Sequence, residues 1–198
     1  MVLLLFLATG PGLAGERTVL VLGDSLSAAY GMDRDEGWVA RLDERLQQQE
    51  PAWRAVNAST SGDTTGSGLS RLPGALERHD PAIVIIALGG NDGLRGTSPA
   101  TIQRNLNQMV TAVREHGARV LLAGVRIPPN YGSSYIRLFR QVYTDVAAER
   151  DVALVPRLLD DVADDDSLMK DDGIHPRATA QPVILDNVWS ELRPMLQE

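Results

Sequence analysis

The hydrophobic pattern changes period along the chain, and each change marks an element. Thr18-Val19-Leu20-Val21-Leu22 is an unbroken, mostly apolar run closed by Gly23. Such a run, ended by a turn residue, reads as a buried strand over 17–22. Trp38, Val39, Leu42 and Leu46 then recur at helical spacing, which predicts an amphipathic helix over 37–49, stopped by Pro51. Residues 54–58 read as a short second strand, and 59–68 as a loop rich in Gly, Ser and Thr. Leu69, Leu72 and Leu76 mark a helix that ends near His79. Residues 82–88 have no polar alternation at all, so both faces of this third strand must be covered, as in a parallel sheet between helix layers.

The second half repeats the alternation. Ser98 and Pro99 are an N-cap and a first-turn proline. Ile102, Leu106, Met109, Val110 and Val113 carry that helix towards Gly117. Residues 119–125 are the fourth strand. A loop at 127–134 leads to a helix with Ile136, Phe139, Tyr143 and Val146 on one side, and 152–155 is the fifth strand. The stretch 157–171 is acidic and irregular, and Val183, Ile184, Val188 and Leu192 place a last helix over about 178–193. Strands that alternate with helices imply a parallel sheet with right-handed crossovers. The expected fold is α/β: a three-layer α/β/α sandwich with a flavodoxin-like five-stranded parallel sheet in the order 2-1-3-4-5.

Composition narrows the function. The chain has 198 residues, 43% of them hydrophobic, which suits one domain over 15–198 with a full core. A net charge of −7 argues against nucleic acid, because phosphate binding needs clustered Lys and Arg. With no cysteine, thiol catalysis and Cys-ligated zinc are excluded. Residues 1–8 are apolar but too short to span a bilayer, and Gly12 and Ala14 are small residues two apart. Residues 1–14 therefore read as a signal peptide, without the usual basic start, and the protein is expected to be periplasmic or secreted, without stable membrane insertion. A monomer is expected.

The chemistry gathers at strand ends. Ser25 follows the first strand, where open α/β sheets place their ligands. Serine needs a base, an orienting acid and an oxyanion site. Of three histidines, His79 and His116 lie at helix C-termini, where the dipole favours them, and only His175 stands in a turn, between Gly173 and Pro176. Asp172, three residues earlier, can reach its Nδ1; Asp171 is a rival beside Lys170. The remaining aspartates of the acidic tract read as solvated surface, and their spacing does not match a calcium loop. Three oxyanion donors are available: the N–H of Ser25, the N–H of Gly62 and the side-chain amide of Asn91. Taken singly, Gly62 and Asn91 are explained by turn chemistry. Asp24 and Asp63 are expected to hold their loops through Asx-type bonds, and Asp24 is also a candidate substrate contact. The serine segment is not the G-x-S-x-G elbow of α/β-hydrolases, since position 27 is Ser.

Four blocks, Gly23-Asp24-Ser25-Leu26-Ser27, Gly62 within 57–65, Gly89-Gly90-Asn91-Asp92 and Asp172-Gly173-Ile174-His175-Pro176, together resemble the SGNH (GDSL) hydrolase family. The blocks around Gly62, Ile127 to Gly132 and the 172–182 tail are most similar to its periplasmic thioesterase I branch, also described as lysophospholipase and arylesterase. The resemblance implies Ser25 as nucleophile, His175 as base, Asp172 as its partner, and Gly62 and Asn91 as oxyanion donors. It also makes 127–135, with Ile127, Pro128 and Tyr131, a lip over an acyl groove. It implies a small-molecule acyl ester or thioester as substrate, with no metal and no cofactor. A carbohydrate O-acetylesterase is the alternative within enzymes. A phosphate-binding module is the alternative outside them, and neither a G-x-G-x-x-G run nor a P-loop is present to support it.

Overall fold

The computed structural model describes residues 15–197. Among them, five strands form one parallel sheet in the order β2-β1-β3-β4-β5, as expected. The strands are β1 (Arg17–Gly23), β2 (Trp53–Asn57), β3 (Ile83–Ala87), β4 (Arg119–Ala123) and β5 (Ala153–Val155). The three middle strands are almost wholly buried, while β2 and β5 at the edges are half-covered. Coverage on both faces is why β1, β3 and β4 are dominated by apolar residues.

Helices cover both faces. α1 (Trp38–Gln49) packs on α6 (Gln181–Leu196). On the other side α2 (Thr65–His79) packs on α4 (Pro99–Glu115), and α4 on α5 (Ser133–Arg150). The direction of winding reverses between β1 and β3, which is the switch point where such sheets bind ligands. The register puts Gly23 opposite Ala87, the last residues of the two strands. The loops that carry Ser25 and Asn91 therefore leave the sheet side by side at the same height.

Two local expectations are corrected. α2 begins at Thr65, inside the stretch read as loop. Thr64 caps it, its side chain accepting from Ser67 N–H, and Asp92 accepts from both Thr65 N–H and Thr65 Oγ1 at 2.7 Å each. Gly68 lies within this helix because a Cβ there would collide with Leu88 Cδ1. Glycine, usually a helix breaker, here permits a close helix–sheet approach. The second correction is α3 (Gly90–Leu94), a single turn of helix where a loop was expected. Asp92 joins the two corrections: its buried carboxylate ties α3 to the start of α2 and so fixes Asn91 next to it. The signal-peptide reading falls on residues 1–14, outside the described residues.

Candidate active site

The Ser25 loop is locked from three sides. Asp24 Oδ1 accepts from Leu26 N–H at 3.0 Å, and its backbone carbonyl accepts from Ser27 and Ala28 N–H. The Trp38 indole N–H donates to Leu26 C=O at 3.2 Å, and the Asn57 amide donates to Ser27 C=O at 2.7 Å. The half-buried Ser25 is thereby held at the end of β1 with its hydroxyl towards the opposite loop.

That loop brings His175, whose Nε2 lies 3.0 Å from Ser25 Oγ. His175 Nδ1 lies 2.7 Å from Asp172 Oδ2, while Asp172 Oδ1 accepts the backbone N–H of Ile174 and of His175 at 2.9 Å each. Partial burial pushes the Asp172 carboxyl up, but these N–H groups and the imidazole outweigh it and hold its pKa down to about 2. An ionised carboxylate can only accept, so Nδ1 carries the imidazole proton and Nε2 is left free to accept the proton of Ser25. The rival Asp171 is turned away, 2.8 Å from the Arg177 guanidinium.

The oxyanion candidates stand as follows. Neither Ser25 N–H nor Gly62 N–H has a hydrogen-bond acceptor among the described residues. Gly62 adopts φ +85 with open space where a Cβ would be, so its backbone is exposed to any approaching group. It does not line the cleft beside Ser25. Its neighbour Asp63 offers its C=O to Asn91 Nδ2 at 2.9 Å, which places Gly62 on the Asn91 side of the site. The other amide hydrogen of Asn91 has only a long contact with Asp24 Oδ2, at 3.3 Å. Asp63 holds its loop by an ion pair with Arg71, which also donates to Ala58 C=O, instead of the expected Asx-type bond.

A cleft of about 190 Å³ opens beside Ser25 and His175. Its walls are largely apolar, with Leu94, Ile127, Pro128, Leu159, Met169 and Ile174 among them. Ile127 and Pro128, two of the candidate substrate contacts, thus line this cleft. Tyr131 does not line the cleft; its hydroxyl donates to Leu94 C=O at 2.9 Å and ties the 127–135 segment to α3. Leu159 and Met169 went unremarked in the sequence, because nothing local distinguishes them from other apolar residues in an irregular stretch.

Residues 21–181 match the model of the GDSL-like lipase/acylhydrolase family. The chain belongs to this family. It is 52% identical over 183 residues to the esterase TesA of Pseudomonas aeruginosa, covering 92% of this chain and 91% of that one. It is 43% identical to thioesterase 1/protease 1/lysophospholipase L1 of Escherichia coli strain K12, covering 92% and 86% respectively. A crystal structure of TesA superposes with a TM-score of 0.87 at 52% identity, over 90% of this chain and 99% of that one.

For a GDSL-family hydrolase, the environment of the motif aspartate has a measurable consequence. Asp24 is 2% exposed. Burial pushes its pKa from 3.8 up to about 6, against the Leu26 N–H, the His175 charge and the Asn91 amide, which lower it. The folded state thus binds more protons than the unfolded state between these two values, so this group costs stability as pH rises through them. From about pH 4 to about pH 7, wild type is expected to lose about 2 kcal/mol of stability relative to Asp24→Asn. Urea melts of both proteins at the two pH values check this, and a pH-independent difference contradicts it.

Among the described residues, no group of three or more His, Asp or Glu side chains is placed to hold a metal ion, and no helix is long and apolar enough to cross a membrane.

Proposed function

We propose that this hydrolase cleaves acyl esters and acyl thioesters, including arylesters and lysophospholipids, through a covalent acyl-enzyme on Ser25. The observation that carries the reading is the continuous line Asp172–His175–Ser25, set beside a largely apolar cleft.

The steps follow from the contacts. Asp172 orients His175 and stabilises the imidazolium. His175 Nε2 takes the Ser25 proton as Oγ attacks the acyl carbonyl, and returns it to the departing alcohol or thiol. Water, deprotonated by the same nitrogen, then releases the acid. Ser25 N–H, Gly62 N–H and the Asn91 amide stabilise the tetrahedral oxyanion. Asn91→Ala is expected to lower kcat by about 10²–10³ with little change in KM. Steady-state kinetics on one ester reads this directly, and an unchanged kcat removes Asn91 from the oxyanion role.

The cleft's apolar walls of Leu94, Ile127, Pro128, Leu159, Met169 and Ile174 support an acyl chain over an acetyl group. The names of the two relatives point to the same chemistry. Export is part of the proposal, on the strength of the apolar 1–8 run and the Gly12/Ala14 pair. Turnover of p-nitrophenyl esters from acetyl to palmitoyl, with matching acyl-CoA thioesters, tests the substrate class. Medium or long chains are expected to exceed acetyl in kcat/KM. A sharp preference for acetyl would favour an O-acetylesterase instead.

A further inference from the structure

Tyr30 is one of two large hydrophobic side chains left exposed among the described residues, at 50% exposure. Its ring nevertheless lies against the imidazole of His175, with centroids 4.4 Å apart and planes tilted by 36°. A half-exposed aromatic ring packed against the imidazole leaves part of its surface available as a platform, and several devices hold it there. Lys170, from the segment that leads into the His175 loop, donates through Nζ to Tyr30 C=O at 2.8 Å and Gly31 C=O at 2.9 Å. The same ammonium lies 5.5 Å from the Tyr30 ring centroid. Ala29, just before it, takes φ +56, a left-handed conformation that costs a non-glycine residue free energy and persists only where the surroundings impose it. None of these contacts is needed to orient Nε2, which Asp172 and Ser25 already fix.

The reaction assigns the platform a side. When the tetrahedral intermediate collapses, the bond from the carbonyl carbon to the leaving oxygen breaks, and that oxygen takes the proton from His175 Nε2. The leaving group must therefore sit against the imidazole. The cleft assigned above to the acyl chain does not include Tyr30 in its lining, which leaves the ring to the leaving-group half. We propose that Tyr30 is a leaving-group subsite, whose exposed ring surface packs on an aryl leaving group and makes this site selective for aryl over alkyl esters of one acid. This rests on the Ser25–His175 reading above and names a second half of the same site. Lys170 is the positioning residue that holds the ring.

Two butyrate esters test it: phenyl butyrate, and trifluoroethyl butyrate, whose alcohol is an activated leaving group without a ring. Both form the same butyryl-enzyme, so packing on the leaving group acts in kcat/KM, which reports acylation, and not in any kcat limited by deacylation. Tyr30→Ala is expected to lower the phenyl-to-trifluoroethyl ratio of kcat/KM by about 3- to 10-fold, the range for an aromatic pair, and Tyr30→Phe to keep the wild-type ratio. An unchanged ratio in Tyr30→Ala overturns the proposal. If both esters fall together and the pH profile moves with them, Tyr30 only packs His175. If neither falls, the ring is idle. If wild type hydrolyses neither ester, the Ser25–His175 reading fails first and takes the subsite with it.

Discussion

Replacing Ser25 by alanine is expected to lower kcat for any acyl ester by about 10⁴–10⁶, with the protein folded and of nearly unchanged stability. The size follows from the mechanism, since without Oγ no acyl-enzyme forms and only the donors and the cleft remain to assist attack by water. The stability follows from the contacts. The Ser25 side chain is half-buried, and His175 Nε2 is its one hydrogen-bond partner among the described residues. Its loss therefore strands no deeply buried polar atom. The loop itself is held by Asp24, Trp38 and Asn57, none of which bonds Oγ. Kinetics beside a thermal melt separates the two effects. A variant with normal melting and near-wild-type turnover contradicts the role of Ser25.

The second large effect is expected at Asp172. Asp172→Asn is nearly isosteric, and its Oδ1 can keep both backbone bonds to Ile174 and His175, so the loop should stay in place. Facing His175 Nδ1, however, the new amide can donate instead of accept. It stabilises the tautomer with the proton on Nε2, which cannot take one from Ser25. A fall in kcat of about 10³–10⁴ at neutral pH is expected. Asp171→Asn is the control: its carboxylate pairs with Arg177 and is almost fully exposed, so kcat should change little. Equal losses in the two variants would contradict the assignment of Asp172. The low pKa of Asp172, about 2 against an ordinary 3.8, also fixes a sign. Its stabilising contribution is present above about 3.8 and lost as pH falls through about 2. An activity loss at mildly acidic pH therefore belongs to other groups.

Much of this was legible in the sequence, for physical reasons. β1, β3 and β4 are covered on both faces, so they are dominated by apolar residues, and their alternation with helices implied the strand order. Ser25, Asn91, Asp172 and His175 are polar residues at strand ends or in turns, where chemistry stands out from packing. What stayed hidden depends on contacts between distant segments. α2 begins four residues before Leu69 because Gly68 sits against Leu88 and Asp92 meets its first N–H, neither of which local propensity can express. α3 is one turn long, too short for any period to show. Nothing local marks Tyr30, because its partners His175 and Lys170 come from the far end of the chain. Leu159 and Met169 reach the cleft from an irregular acidic stretch that read as surface.

The most direct measurement of the central claim is the site of covalent modification by an alkyl fluorophosphonate, which traps an activated serine. The account predicts one adduct per chain, formed in step with the loss of esterase activity, mapping to the peptide that carries Ser25 and absent from both Ser25→Ala and unfolded protein. Complete inactivation with the adduct on any other residue, or a Ser25→Ala protein that still hydrolyses esters and is still labelled, would contradict it.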